Sequence, residues 1–187
     1  MTEPAQTPED RELVERAQGG DMAAFEELVR RHQQGLFSYL YRMTSDRHTA
    51  EELTQQALVR AWKAIEGFGG RSGFKTWLYR IGINLAINHR TRRKPTVELD
   101  EELPAGPDSE PQNAFRQHER EAAVQAALAK LPADQRAAMV MSLYEQLSYR
   151  EIGEAMGRSA RAVDSLLFRA KTNLRKLLEP AHRKGLI

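Results

Sequence analysis

The stretch SYREIGEAMGRSARAVDSLLFRA, residues 148–170, predicts the architecture of the C-terminal part of the chain. Ser148 and Glu151 have the spacing of a capping box, in which each side chain accepts from the other residue's backbone, so a helix begins here. Gly157 permits the left-handed turn that ends this helix. Ser159 can cap a longer second helix whose apolar residues recur every three or four positions. A short helix, a glycine turn and a longer helix are typical of a helix-turn-helix.

The outward face of the second helix is polar and mostly basic. If this helix enters a major groove, the residues near its start face the base edges. Arg161 is the best suited to read a base, because a guanidinium can bond a guanine edge at two points. The alternative is a helical hairpin whose arginines are merely solvated. The residues predicted to contact DNA, the last two through phosphates, are Arg158, Ser159, Arg161, Asp164, Ser165, Phe168, Arg169 and Lys171.

A second basic segment, GFKTWLYRIGINLAINHRTRRK, covers residues 73–94. Its apolar residues form one stripe, so Trp77 is predicted to pack in a core. Another face repeats polar residues every four positions and leads to a basic end, as a helix that holds unpaired bases and their phosphates would. Phe68, in the glycine-rich loop before this helix, is a candidate stacking platform. The polar and basic residues are Arg80, Asn84, Asn88, Arg90, Arg92, Arg93 and Lys94.

The remainder of the 187-residue chain shows helical periodicity and no lasting strand-like alternation, which predicts an all-α fold. Residues 96–112 combine three prolines, one glycine and six carboxylates with no basic residue, the composition of a flexible linker. We therefore expect two small helical domains, residues 1–95 and 113–187, joined by an acidic flexible linker.

Composition excludes several classes of function. The chain has no cysteine, which rules out disulfides, thiolate zinc sites and a cysteine nucleophile. It has no run of about 18 apolar residues, and its first residues are acidic and polar, so we expect a cytoplasmic protein without membrane insertion. No metal or other cofactor is expected, and an enzyme is the weakest hypothesis, because there is no glycine-rich phosphate loop and no metal-ligand spacing among His32, His48, His89, His118 and His182.

Three segments, in this order, resemble the extracytoplasmic-function (ECF, group IV) sigma factors of the sigma-70 family. They are AEELTQQALVRAW at 50–62, GFKTWLYRIGINLAINHRTRR at 73–93, and residues 131–176 around the helix-turn-helix. The resemblance implies a factor that binds core RNA polymerase and directs it to promoters. It also implies that the first segment docks on the polymerase clamp through Glu52, Gln55 and Gln56, although the family usually has an acidic residue where Gln56 stands.

The resemblance also assigns the DNA-binding roles. The helix within 73–93 and the loop before it would capture a base flipped out of the melted minus-ten strand, with Phe68 and Asn84 lining the pocket. The helix-turn-helix would read the duplex minus-thirty-five element. Many members carry basic residues where Asp164 and Leu166 stand, and an acidic residue at 164 would favour the amino group of cytosine. The minus-ten residues so implied are Phe68, Lys75, Arg80, Asn84, Asn88, Arg90, Arg92, Arg93 and Lys94.

The sequence leaves open the role of the acidic linker and the class of DNA-binding protein. The acidic linker either threads the polymerase toward its RNA exit channel, as the resemblance implies, or is a solubilising tether. The alternative to a sigma factor is a repressor or activator whose N-terminal helices dimerise or sense a ligand, since a regulator of a palindromic duplex should be a dimer. That alternative leaves Asn84 and Asn88 unexplained, whereas a sigma factor should be monomeric or held by an anti-sigma factor.

Overall fold

The computed structural model describes residues 8–92, 111–183 and 185, and within these residues the backbone forms helices and turns but no strand. The predicted all-α fold is confirmed. A single 3₁₀ turn, Ile65–Gly67, follows the third helix. The helices are α1 (Pro8–Gln18), α2 (Met22–Thr44), α3 (Arg47–Ala64), α4 (Phe74–Arg92), α5 (Pro111–Ala129), α6 (Ala133–Leu143), α7 (Tyr149–Met156) and α8 (Ala160–Arg183).

Side-chain caps set the starts of the two long N-terminal helices. The Asp21 carboxylate accepts from the Ala24 N–H at 3.1 Å and so begins α2. The Asp46 carboxylate accepts from the Thr49 N–H at 2.6 Å. This second cap begins α3 at Arg47.

Helices α1 to α4 form the N-terminal domain, with α4 lying against α2 and α3. The apolar stripe of α4 faces this core: Phe74 and Leu78 are fully buried, and Trp77 is half-buried. Gly82 allows the close approach of α4 to α2, because a Cβ at this position would lie 2.9 Å from Leu36 Cδ1. The predicted core role of the stripe is confirmed.

The helix-turn-helix is also confirmed. Both hydrogen bonds of the Ser148–Glu151 capping box are present at the start of α7. Gly157 ends α7 with φ +66°. A Cβ on Gly153 would lie 2.6 Å from the Arg158 carbonyl oxygen, so only glycine permits this crossing of α7 and the turn.

The two predicted domains lie against each other, which the sequence left undetermined. Helix α4 packs on α7, and α2 packs on α5 and α6. Buried apolar side chains from both sides form one continuous cluster. Most of the predicted linker, residues 96–110, lies outside the described residues; its last two residues, Pro111 and Gln112, already belong to α5. No described helix is both long and apolar enough to cross a membrane.

Candidate nucleic-acid interface

The outward face of the helix-turn-helix is a single solvent-facing surface. Val163, Leu167 and Ala170 face the core from the other side of α8. Phe168 is 72% exposed, which is unusual for a phenylalanine that has no binding role. All eight residues predicted to contact duplex DNA are exposed: Arg158, Ser159, Arg161, Asp164, Ser165, Phe168, Arg169 and Lys171.

Within this surface, Arg161, Asp164 and Phe168 follow one another at helical spacing and so form one stripe along α8. Neither Arg161 nor Asp164 forms an ion pair within the described part of the chain, so both can contact a ligand. Arg158 differs, because its guanidinium donates to the Asp134 carboxylate at the start of α6. This pair is surface-exposed and therefore weak, and it holds the turn to α6 in the absence of DNA.

A second polar surface lies on α4. Arg80, Asn84 and Asn88 are all exposed, one helical turn apart, while Gly82 and Ala86 are buried on the opposite side. The predicted polar track therefore faces solvent. Of the basic cluster, Arg90 and Arg92 fall in the last turns of α4, without described side chains, and Arg93 and Lys94 lie outside the described residues.

The prediction that Phe68 offers a stacking platform is not met in this structure. Phe68 is only 7% exposed. Its ring packs on Trp77, with centroids 4.8 Å apart, and meets the edge of Phe74 at 6.4 Å. The apolar ring is drawn into the aromatic core of the domain, and the exposed part of the loop is 69–71 instead.

A residue far away in the sequence holds this loop. Gln18, at the end of α1, donates from its side-chain amide to the Phe68 carbonyl at 2.8 Å and to the Ile65 carbonyl at 3.1 Å. These partners are 47 and 50 residues away along the chain, so no local pattern points to them.

The predicted polymerase-binding residues share one exposed face of α3. Glu52, Gln55 and Gln56 are exposed, with Leu53 and other residues buried behind them. Val59 continues the same face and is 53% exposed, so this surface has an apolar end beside the three predicted residues.

Lys75 does not join the α4 polar track. Its ammonium group lies 3.2 Å from the Glu145 carboxylate and donates to the Glu145 carbonyl at 3.2 Å. Tyr79, one turn further along α4, donates its hydroxyl hydrogen to the same carboxylate at 2.6 Å. Burial, together with this hydrogen bond, raises the pKa of Tyr79 above its usual value. Lys75 therefore connects the domains in this conformation rather than presenting a free charge to DNA.

A second polar contact joins the domains at the end of α2. Ser45 takes the left-handed conformation that ends this helix, and its Oγ accepts from the Arg136 guanidinium at 2.7 Å. The Gln125 amide donates to the same oxygen at 3.2 Å. Nearby, the Arg42 guanidinium lies 3.9 Å from the centroid of the Tyr144 ring. Polar residues of α5 and α6 thus bind the partly buried C-terminal end of α2.

Comparison with known proteins identifies both halves of the chain. Residues 28–96 match the family described as Sigma-70 region 2, and residues 121–174 match Sigma-70, region 4. The RNA polymerase sigma-H factor of Pseudomonas aeruginosa is 36% identical, over 95% of this chain and 97% of its own length. The ECF RNA polymerase sigma-E factor of Haemophilus influenzae is 35% identical, over 91% and 96% respectively.

The fold agrees with these relatives. The solved structure of CnrH in complex with the cytosolic domain of CnrY superposes with a TM-score of 0.72 and 27% identity, covering 92% of this chain and 98% of that one. Two sigma-70 regions in order, and relatives about a third identical over nearly the whole chain, establish the family. The protein belongs to the extracytoplasmic-function sigma factors of the sigma-70 family.

Proposed function

We propose that this protein is a group IV alternative sigma factor that binds core RNA polymerase in the cytoplasm and directs initiation at a specific set of promoters. It acts by binding and catalyses no reaction. The observation that carries the proposal is the pair of exposed surfaces, on α4 and on α8, that lie within the two sigma-70 regions of one chain. The first suits single-stranded bases and the second suits duplex DNA.

In the proposed minus-ten interaction, the α4 track takes the melted non-template strand. Exposed amides of Asn84 and Asn88 can pair with the edges of unstacked bases, and Arg80 lies beside them for a phosphate or a base face. The basic residues at 90 and 92–94 would hold the phosphates that follow. Phe68 is buried, and its ring packs on Trp77. In this proposal Phe68 therefore anchors the loop to the domain core, and Asn84 contacts the captured base. Lys75 joins this interaction only after its contact with Glu145 has separated.

In the proposed minus-thirty-five interaction, the stripe on α8 lies in the major groove. Arg161 would read a guanine, Asp164 would accept from a cytosine amino group, and the exposed Phe168 ring would contact a thymine methyl group. Ser159, Ser165, Arg169 and Lys171 would bind phosphates or base edges beside this stripe, and Arg158 would do so after leaving Asp134.

For polymerase binding, we propose that Glu52, Gln55 and Gln56 form the polar part of the surface that docks on the clamp. The exposed Val59 gives this surface an apolar end, which adds buried area without further charge. The acidic segment 96–112 then connects the two reading domains, residues 1–95 and 113–187, and enters the polymerase toward its RNA exit channel.

Regulation by an anti-sigma factor is part of the proposal. The related structure of CnrH is a complex with the cytosolic domain of CnrY, at 27% identity to this chain. A comparable regulator for this protein would bind the packed arrangement of its two domains. Such a partner would be tested by co-purification of the tagged full-length chain with its membrane or cytosolic neighbours in the host.

The decisive experiment is run-off transcription by purified core polymerase on a pool of host genomic fragments, with and without this protein. We expect discrete transcripts that depend on the protein, and their start sites would reveal both promoter elements. No transcript, together with duplex binding by a dimer of the protein alone, would instead indicate a repressor or activator.

A further inference from the structure

The side chain of Gln18 connects α1 to the loop that precedes α4. Its amide nitrogen is a donor to two backbone carbonyls, at 3.1 Å to Ile65 and 2.8 Å to Phe68. One amide group offers two hydrogens, so both are used, one for each carbonyl. No other side chain in the described part of the chain donates a hydrogen bond to either carbonyl.

The 3₁₀ turn Ile65–Gly67 is a single turn, so it satisfies few backbone carbonyls by itself. The ends of such a turn leave carbonyl oxygens that the helix itself does not satisfy. Within the turn, the Phe68 N–H donates to the Ile65 carbonyl at 3.0 Å. Gln18 adds a second donor to the Ile65 carbonyl and supplies a donor to the Phe68 carbonyl, and thereby connects both ends of the turn to α1.

Gln18 is itself held in place by the corner between α1 and α2. Two nitrogens of the Arg16 guanidinium donate to one Asp21 carboxylate oxygen, at 3.0 and 2.7 Å. This contact and the helix-capping bond to Ala24 lower the pKa of Asp21. This exposed ion pair is weak, but the backbone N–H groups of Gly20 and Asp21 also donate to carbonyls of α1, so the chain beside Gln18 follows a defined path.

Phe68 is consequently anchored twice, by its ring on Trp77 and by its carbonyl on Gln18. The next residues, Gly69 and Gly70, are exposed, and a Cβ on either would have no neighbour within 4 Å. Glycines give this tip little conformational preference of its own. The direction in which the tip leaves the domain is thus set by the two anchors of Phe68.

We infer that Gln18 is a positioning residue for capture of the unstacked minus-ten base, acting through the loop that borders α4. This inference rests on the proposed function of the α4 surface and adds to it a residue of α1. The residue does not touch DNA. It holds the backbone from which the loop tip extends toward the strand.

The experiment uses the holoenzyme of core polymerase and the full-length chain on a promoter found by run-off transcription. A fluorescent adenine analogue is placed, one position at a time, in the non-template minus-ten strand, and its fluorescence reports an unstacked base. Gln18→Glu keeps the shape but places an acceptor against two carbonyls, and Gln18→Met removes the donors. Gln33→Glu and Gln33→Met, at an exposed residue of α2, are matched controls.

For both Gln18 variants we expect about tenfold weaker capture of the unstacked base, the loss typical of side chain to backbone hydrogen bonds. Affinity for core polymerase and for duplex minus-thirty-five DNA should stay within about twofold of the wild type, because those surfaces lie on α3 and α8. Gln18→Asn, one methylene shorter, can reach one carbonyl and should fall between Gln18→Met and the wild type. The Gln33 controls should match the wild type.

Three results would overturn the inference, and they differ from one another. A parallel loss of polymerase affinity, duplex binding and base capture would indicate that Gln18 only stabilises the fold. Normal capture by Gln18→Met and Gln18→Glu would reject the positioning role while leaving the α4 surface in place. Absence of any fluorescence change in the wild-type holoenzyme, at every position tested, would reject the minus-ten assignment and the inference with it.

Discussion

Tyr79 of α4 donates a 2.6 Å hydrogen bond to Glu145, which lies between α6 and α7, and so joins the two domains. This hydrogen bond can form only if no side chain of the neighbouring helix α2 occupies the space beside the Tyr79 hydroxyl. A Cβ on Gly35 would lie 2.8 Å from the Tyr79 hydroxyl oxygen and 3.5 Å from the Glu145 carboxylate. The missing side chain at position 35 therefore makes the contact between the domains possible.

Gly35→Ala should separate the two domains more often. The added methyl group should displace Tyr79, which is fully buried, and weaken the contact between the domains by about 1–3 kcal/mol. Because the chain has no cysteine, Lys63→Cys and Lys176→Cys can carry a pair of dyes. Energy transfer between them should fall in Gly35→Ala. Gly67→Ala, where a Cβ meets nothing within 4 Å, is the control and should leave the transfer unchanged.

The two buried tyrosines should respond in opposite ways to loss of the hydroxyl. Within the described residues the Tyr39 hydroxyl has no hydrogen-bond partner, so Tyr39→Phe should stabilise the protein by about 1 kcal/mol. Tyr79→Phe should destabilise it by about 1–3 kcal/mol, because Glu145 loses a buried donor. Urea unfolding of the two variants provides the measurement. Equal effects of the same sign would contradict the assignment of the hydrogen bond.

The same tyrosines predict a loss of stability at alkaline pH. Burial raises the pKa of Tyr39, and burial with the Glu145 hydrogen bond raises the pKa of Tyr79. A group whose pKa is higher in the folded state contributes full stability below its unfolded pKa, about 10 for tyrosine, and loses that contribution as pH rises above it. The free energy of unfolding should therefore fall above about pH 10. This decrease with pH should be less steep in the Tyr39→Phe, Tyr79→Phe double variant. An equally steep decrease in the double variant would show that neither tyrosine causes it.

Asn84 and Phe68 should give different phenotypes although both were expected to line one pocket. Asn84 is exposed, so Asn84→Ala should lower open-complex formation without changing stability or polymerase affinity. Phe68 is buried against Trp77, so Phe68→Ala should also destabilise the fold by about 3–5 kcal/mol. Permanganate reactivity of melted thymines, measured beside thermal unfolding, separates the two effects. Normal melting by Asn84→Ala would remove this residue from the pocket.

Asp164 should determine one base of the minus-thirty-five element. Asp164→Ala should reduce discrimination at that base by about 1–3 kcal/mol, and Arg161→Ala should do the same at a different base. Selection from promoters randomised in the minus-thirty-five element would show which position loses its preference. Thr172→Ala, further along α8 and bonded to the helix backbone, should leave every preference intact. A preference unchanged by both Asp164→Ala and Arg161→Ala would place the reading surface elsewhere.

The features that the sequence predicted depend on short-range chemistry. The capping box at Ser148 and the turn at Gly157 involve residues a few positions apart, and hydrophobic periodicity reports which side of a helix is buried. The inward position of Phe68 could not be obtained in this way, since a glycine-rich loop has no period that tells a buried ring from an exposed one. Contacts such as Gln18 to Phe68, or Tyr79 to Glu145, join residues 50 and 66 positions apart, and their geometry exists only once the helices have packed.

Because Tyr79 and Glu145 belong to one chain, the hydrogen bond between them is intramolecular and does not depend on the protein concentration. Domains joined in one chain meet at an effective concentration that depends on the linker between them and, for short linkers in general, is on the order of millimolar. A contact with a millimolar dissociation constant, only about 4 kcal/mol, would then keep roughly half of the molecules packed. Polymerase or promoter DNA that binds the separated domains about 100-fold more tightly than the packed ones would leave only about 1% of the molecules packed. Once the connection spans the contact, each further increase in its length would favour separation, without any change in either domain.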